Sequence, residues 1–365
     1  MHDYVPLTIA EVRRETDDAV SIAFAVPEGQ REAFQFRPGQ HLALRATLGG
    51  EEVRRTYSIC SGPDDPHLCV AIKRIPGGVF SSWACESLRP GAMLESMPPQ
   101  GRFALPEEPG ERRHVLAFAA GAGITPIVAM AEHAMRRQRG TRFTLVYGNR
   151  DTGSIIFRER LEDLKDAFVD RFTLLHILSR NEESETPLLE GRIDAAKVEA
   201  LSRHLFAPAD VDQVFLCGPG SMIRDVRNAL FALGFARDRV HHEFFAAGGG
   251  AFRVPPPPSA DTMSPADVAQ VHNGAEITAI LDGQRHRFTA RPDEAVVEAA
   301  LRAGVRAPYS CKGGMCSTCR ARVVEGKAGM RVNYSHEPWE VEKGFVLTCQ
   351  AVPETPRLVV DYDQM

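Results

Sequence analysis

Nowhere does this chain run to ~18 uninterrupted apolar residues, the length a helix needs to cross a bilayer, so no membrane span is expected. Its opening residues, MHDYVPLTIAEVRRETDD, are charged early and hold no apolar h-region. No secretory leader is therefore expected, and the reading places the protein in the cytoplasm. Basic residues are not in excess: 43 Lys and Arg face 48 Asp and Glu, a formal net charge of -5. A dedicated nucleic-acid binder should carry a basic face, so neither nucleic acid nor membrane is an expected partner. Internal repeats are missing, which excludes solenoids and propellers, and no Ser/His/Asp triad stands out. What remains is a chain of 365 residues, 44% apolar and 25% charged. That is the composition of a globular protein, too long for one core and suited to two or three domains.

One segment has the wrong composition for a core. In AAGGGAFRVPPPPSADTMSPADVAQVH, Gly248–Gly250 should flex and Pro255–Pro258 should hold an extended polyproline conformation. A linker is expected over residues 247–271, with one domain behind it at 272–365. The part ahead of it divides by pattern. Residues 1–108 read as short strands punctuated by Gly and Pro: AVSIAFAV, QHLALRATL, RRTYSIC and HLCVAIKRI. An all-β barrel is expected there. Residues 109–246 alternate strand and helix, which gives a parallel sheet covered by helices on both faces. Its first helix is expected to start with Thr125 as N-cap and Pro126 as first helical residue.

Two glycine-rich turns in this α/β region lie where a strand ends and a helix begins. In AAGAGITP, Gly121 and Gly123 allow close backbone approach, and the helix behind them offers free N–H groups to a phosphate. The stretch is not the full dinucleotide fingerprint, because Pro126 stands where the last glycine would be. FLCGPGSM repeats the device with Cys217, Gly218, Pro219 and Met222. Ligands of such sheets bind at the carboxyl ends of the strands, so two such turns point to a nucleotide. Ser179 and Arg180 in HILSRNEES, assisted by Arg150 in YGNR, suit a 2′-phosphate and hence NADPH, with NADH as the alternative.

In the N-terminal region, RRTYSIC puts Arg55 and Tyr57 on one strand face, an arginine for a pyrophosphate beside a ring to stack on a flavin. Thr56, Ser58 and Lys73 join the candidate cofactor residues. KRIPGGVFSSWA adds Gly78, Ser81 and Ser82 at a helix start. Behind the linker stand Cys311, Cys316 and Cys319, spaced C-x4-C-x2-C, and a distant Cys349. In a reducing compartment clustered cysteines read as ligands rather than disulfides. This spacing is the plant-type [2Fe–2S] pattern. Structural zinc usually shows two close Cys/His pairs, and only one C-x2-C is present, with His336 in no pair. Zinc stays the alternative. Cys60, Cys69 and Cys85 read as structural.

Taken together, RTYS, GAGITP, CGPGSM and the four-cysteine set resemble the ferredoxin–NADP reductase-like oxidoreductases that carry a C-terminal plant-type ferredoxin domain. The resemblance covers nearly the whole chain in the right domain order. It implies a six-stranded antiparallel FAD barrel, a Rossmann-like NADP domain and a β-grasp ferredoxin. It implies an NAD(P)H-dependent enzyme with Arg55–Ser58 and the GGVFSS turn on FAD, and with the two later glycine motifs on the nucleotide. Ser58, Cys217 and Glu243 then lie at the reacting rings. A narrower likeness, carried by FRPGQHL, YGNR, GRID and the long cysteine segment, is to the reductase of one multicomponent di-iron oxygenase. It implies such an oxygenase as electron acceptor. Reductases of ring-hydroxylating dioxygenases or soluble di-iron monooxygenases would use the same cofactors. A redox sensor without turnover and a colourless zinc module are the readings from other classes.

Overall fold

Alternating apolar residues build the first part of the chain. In a computed structural model, residues 4–106, 112–180, 186–244, 274–336 and 338–364 are described. They fall into two compact units, one within 4–249 and the other within 250–365. The expected linker over 247–271 and the expected boundaries at 108 and 246 lie outside the described residues.

The first unit opens with β1 (Val5–Thr16), β2 (Ala19–Ala25), β3 (His41–Leu48), β4 (Glu51–Ser58), β5 (Leu68–Lys73), α1 (Val79–Ser87) and β6 (Met93–Ser96). The strands pair antiparallel in the order β4-β3-β6-β1-β2-β5. The two edges meet: Ile59 bridges Val70, and the Cys60 N–H donates to the Cys69 carbonyl at 2.8 Å. The sheet thus closes as the expected barrel. Strand periodicity turns Ile22, Phe24, Leu42, Leu44, Val70 and Ile72 into its core. Strand patterning misses β1 and β6. β1 carries two irregular registers, between Ile9 and Glu11 and between Arg14 and Thr16, which break its alternation; β6 is only four residues long.

The unit continues through β7 (Arg113–Ala120), α2 (Ile124–Arg137), β8 (Thr141–Asn149), α3 (Arg158–Ala167), β9 (Phe172–Leu178), α4 (Ala195–Ser202), β10 (Gln213–Gly218), α5 (Gly220–Ala232) and β11 (Val240–Phe244). The strands are all parallel, in the order β11-β10-β7-β8-β9. On β7, Val115, Ala117 and Ala119 face the core shared with α2 and α3. Leu116 and Phe118 face the core shared with α4 and α5. Both faces of the sheet are therefore covered. The chain leaves β7 toward β8 and later returns to β10 on the other side, so a crevice is expected between the carboxyl ends of β7 and β10.

The helix start is corrected here. α2 begins at Ile124 with Gly123 as N-cap. A single 3-10 turn over Gly121–Gly123 runs straight into it, so the α-helix starts two residues, and helical backbone five residues, ahead of Pro126. Thr125 is not the cap; it is buried inside the first turn and its hydroxyl donates to the Ala122 carbonyl at 3.0 Å.

Barrel and parallel sheet share apolar packing. Ala19, Cys60, Ala71, Phe103 and Leu105 of the barrel region belong to the same buried cluster as β7 and α2. One polar clamp supports this seam. Arg160 on α3 grips the buried Glu132 of α2 at 2.5 and 2.6 Å and donates to the Cys60 carbonyl at 2.9 Å. Bidentate geometry and a third acceptor offset the desolvation of the two charges.

In the second unit, β12 (Ala275–Leu281), β13 (Gln284–Ala290), α6 (Val296–Arg302), β14 (Arg320–Glu325), β15 (Ala328–Met330), α7 (Pro338–Glu342), β16 (Phe345–Leu347), β17 (Ala351–Pro353) and β18 (Arg357–Asp361) follow. The main sheet has the order β13-β12-β18-β14-β16, and β15 pairs with β17. The β12–β18 pair is parallel and the others antiparallel. α6 lays Val296, Val297, Ala299 and Ala300 on Ile277, Ala279, Leu358 and Val360, which gives the β-grasp layering. Among the described residues no helix is long and apolar enough to cross a membrane.

Candidate active site and cluster loop

The two glycine turns of the parallel sheet touch. A Cβ on Gly123 would stand 2.1 Å from the Cys217 carbonyl oxygen and 2.8 Å from the Gly218 nitrogen, so only glycine permits this approach. The crevice floor is therefore bare backbone at the carboxyl ends of β7 and β10. α5 opens beside it with Pro219 as N-cap, and Met222 packs its methyl against Gly218.

Beside this floor the structure brings Ser58, Cys217 and Glu243 together, although they lie far apart in sequence. Glu243 of β11 is the register partner of Cys217 on β10. The Ser58 hydroxyl, at the end of β4, donates to Glu243 Oε2 at 3.1 Å. His41, which sequence reasoning missed, stands across the β3–β4 ladder from Ser58. Its Nδ1 lies 3.6 Å from Glu243 Oε1. The carboxylate is thus held from both sides of the barrel strand pair. The Cys217 thiol is fully buried, and burial together with the nearby Glu243 charge pushes its pKa well up. It stays a neutral S–H, a compact soft group.

On the barrel side, Tyr57 packs on Phe80 with ring centroids 5.7 Å apart, and Phe80 meets Trp83 edge-on at 5.4 Å. Burial pushes the Tyr57 phenol well up, with neighbouring Arg55 pulling the other way. Arg55 is exposed and Thr56 half-buried. Gly78 caps α1. The Ser81 hydroxyl accepts from the Ile75 N–H at 3.1 Å and donates to the Gly78 carbonyl at 3.4 Å, so it shapes the turn. Ser82 follows, half-buried.

Arg150, Ser179 and Arg180 gather at the carboxyl ends of β8 and β9. The Arg180 N–H donates to the Arg150 carbonyl at 2.8 Å, and the Ser179 N–H to the Asn149 carbonyl at 3.0 Å. Ser179 and Arg180 are exposed. Lys73, from β5, points its ammonium at Gly121, 3.9 Å from where a Cβ would stand.

In the second unit the loop before β14 carries Cys311, Cys316 and Cys319. Lys312, Gly314 and Ser317 adopt left-handed backbone, with φ of 50°, 74° and 53°. On this loop Cys316 and Cys319 are buried, as is Cys349, and Cys311 is half-buried. They interact two by two: the hydrogen bond from Cys316 pulls the Cys311 thiol down, and that from Cys319 pulls Cys349 down. Among the described residues no three His, Cys, Asp or Glu side chains converge on one ion position. Four thiols, three of them on one loop, are the donor set of a plant-type [2Fe–2S] cluster. The surroundings fit an anionic cluster as well. The Gly313 N–H points at Cys311 Sγ at 3.3 Å, the Gln350 amide reaches Cys349 Sγ at 3.8 Å, and the buried Ser310 hydroxyl has no hydrogen-bond partner among the described residues.

The sequence offers two readings of the basic residues near these cysteines, Arg320, Arg322, Lys327 and Arg331: a match to an acidic partner patch or, preferred, a solvated face. Arg320 departs from that. Its side chain is 9% exposed and pairs with the fully buried Glu340 at 3.4 Å. It also stacks over Phe345. Arg322, Lys327 and Arg331 are exposed.

Comparison with known proteins adds three domain matches. The oxidoreductase FAD-binding domain matches residues 6–105, the oxidoreductase NAD-binding domain residues 118–228, and the 2Fe-2S iron-sulfur cluster binding domain residues 279–354. One component of the 1,2-phenylacetyl-CoA epoxidase of Escherichia coli (strain K12) is 42% identical over 364 residues, covering 100% of this chain and 99% of that one. The ferredoxin reductase component of the 3-ketosteroid-9-alpha-monooxygenase of Rhodococcus rhodochrous is 35% identical and covers 98% and 97%. The crystal structure of phthalate dioxygenase reductase shares the fold, with a TM-score of 0.57 at 22% identity over 98% of each chain.

Proposed function

The chain belongs to the oxygenase reductases built from FAD-binding, NAD-binding and [2Fe–2S] domains, the family of the phenylacetyl-CoA epoxidase reductase, and on that premise we propose its task. It draws two electrons from NADPH and delivers them one at a time, through FAD and [2Fe–2S], to the di-iron oxygenase of a phenylacetyl-CoA epoxidase in aerobic phenylacetate degradation, in the cytoplasm. The flavin, when bound, supplies the conversion from a two-electron donor to single-electron deliveries.

The observation that carries this reading is the meeting of Ser58, Glu243 and Cys217 where β4 of the barrel faces the carboxyl ends of β10 and β11. Here Ser58 and Tyr57 border the flavin ring, and Cys217 and Glu243 border the nicotinamide. Glu243 holds the Ser58 proton in a fixed direction. The neutral Cys217 packs without adding charge beside the reacting carbon. Arg55, Thr56, Gly78, Ser81 and Ser82 serve FAD. Gly121, Gly123, Thr125, Pro126, Gly218, Pro219 and Met222 frame the nucleotide. Cys311, Cys316, Cys319 and Cys349 would hold the two irons. Domain limits of 1–108, 109–246 and 272–365, with 247–271 as linker, follow from this assignment.

An anaerobic absorption titration with NADPH tests it. Flavin and [2Fe–2S] bands that bleach together support the relay; flavin bleaching without a cluster band would return the cysteines to zinc. The steroid monooxygenase relative marks the alternative acceptor class, and co-purification with oxygenase components separates the two. Preference for NADPH rests on Arg180 beside Arg150. Arg180→Ala should lower the NADPH-over-NADH ratio of kcat/KM about tenfold, as expected for losing a charge-assisted phosphate contact. An unchanged ratio would overturn the preference.

A further inference from the structure

We propose that Asp18 is a specificity-determining residue of the nucleotide site: an internal anion that occupies Arg150 until a 2′-phosphate displaces it, and so moderates the preference for NADPH over NADH. The proposal rests on the reading of Arg150 as a nucleotide residue and deepens it. Asp18 sits in the tight turn between β1 and β2, where its place is set by local bonds. Its carbonyl accepts from the Arg74 N–H at 2.6 Å, and Oδ1 accepts from the Thr16 hydroxyl at 2.9 Å. The other oxygen, Oδ2, reaches across to Arg150 Nη2 at 2.9 Å and lies 3.7 Å from Lys73 Nζ.

Those two cations border the path a nucleotide would take. The Lys73 ammonium stands at Gly121, in the turn that opens α2. The Arg150 carbonyl receives the Arg180 N–H, so its loop is the one that presents the expected 2′-phosphate residues. One carboxylate therefore shares two cations, one from the barrel and one from the parallel sheet. A 2′-phosphate carries more charge than a carboxylate and three acceptor oxygens, and it can take Arg150 from Asp18. A 2′-hydroxyl cannot, so NADH binds with the Asp18–Arg150 pair intact. Only NADPH meets the cost of breaking that pair. Because the Arg150 side chain is 48% exposed, the cost is small.

The test uses the full-length, FAD-loaded protein and calorimetric titration with 2′,5′-ADP and 5′-AMP. Asp18→Asn keeps the size and the Thr16 contact but removes the charge. It should tighten 2′,5′-ADP about three- to fivefold, the range of a part-exposed ion pair, and leave 5′-AMP within about 1.5-fold. Asp18→Glu should restore the wild-type value, and the gain should vanish in Asp18→Asn/Arg150→Ala. Asp18→Ser, which needs no amide accommodated, serves if the first variant does not fold. Unchanged or weaker 2′,5′-ADP binding, or an equal gain for 5′-AMP, overturns the proposal. Arg180→Ala in the same titration reports on the parent reading. Discrimination lost there but unmoved by Asp18→Asn defeats this proposal alone. A wild-type protein that does not discriminate the two ligands defeats both.

Discussion

Replacing Cys349 by serine should strip the protein of its iron–sulfur absorption and cut electron delivery to cytochrome c or an oxygenase by about 100-fold or more. Loss of an outer partner of a metal ligand already costs about 10–100-fold, and here the proposed ligand itself is removed. Cys349 is buried and tied to its pair. The neighbouring Thr348 donates both its N–H, at 3.0 Å, and its hydroxyl, at 2.8 Å, to the Cys319 carbonyl. Tyr362 in turn donates to Thr348 Oγ1 at 2.9 Å. A serine would therefore be held in the right place with the wrong donor, a hard, high-pKa hydroxyl where a thiolate is needed. Ferricyanide takes electrons from flavin directly, so NADPH–ferricyanide turnover should stay within about twofold, the cofactors before the cluster being untouched. A retained cluster band in the variant, or an equal fall in both activities, would overturn the assignment of Cys349.

The contrast between Cys349 and Glu243 explains how much was legible in the sequence. The three proposed cluster ligands Cys311, Cys316 and Cys319 lie within one loop, and a loop that must wrap a cluster advertises itself by spacing and by glycines at tight bends. The two glycine turns were legible for the same reason, since close backbone approach depends on a residue type. The start of α2 was not, because nothing in AAGAGITP distinguishes a 3-10 turn that feeds a helix from a loop that precedes one. His41 and Asp18 left no local signal either. A histidine in a barrel strand and an acid in a hairpin turn are ordinary residues until the fold sets them against Glu243 and Arg150. Arg320 misled in the opposite direction. A basic residue beside the cysteines reads as surface, and the buried Glu340 from α7, the ring of Phe345 and the Gln364 carbonyl make its burial tolerable.

Glu243→Gln should slow flavin reduction by NADPH about 10–100-fold while changing the dissociation constant of NADP⁺ less than about threefold. That is the scale of removing one positioned charged group from the half-buried site proposed to react. The amide keeps the size of the carboxylate, and its oxygen can still accept the Ser58 hydroxyl seen at 3.1 Å. What it loses is the charge that His41 Nδ1 faces at 3.6 Å and the freedom to accept from both sides, since an NH2 group now occupies one of them. Ser58 would keep a partner but in a shifted direction, and the Cys217 thiol would lose the neighbouring charge that helps keep it protonated. Ser58→Ala should reproduce much of the rate loss, and the double variant should be little slower than either alone, because the two groups act as one unit. Stopped-flow flavin reduction, with NADP⁺ binding followed on the same preparations, separates the outcomes. A dissociation constant that rises in step with the fall in rate would make Glu243 a binding residue for the nucleotide. Additive losses in the double variant would mean that the Ser58–Glu243 bond is not what orients the reacting rings.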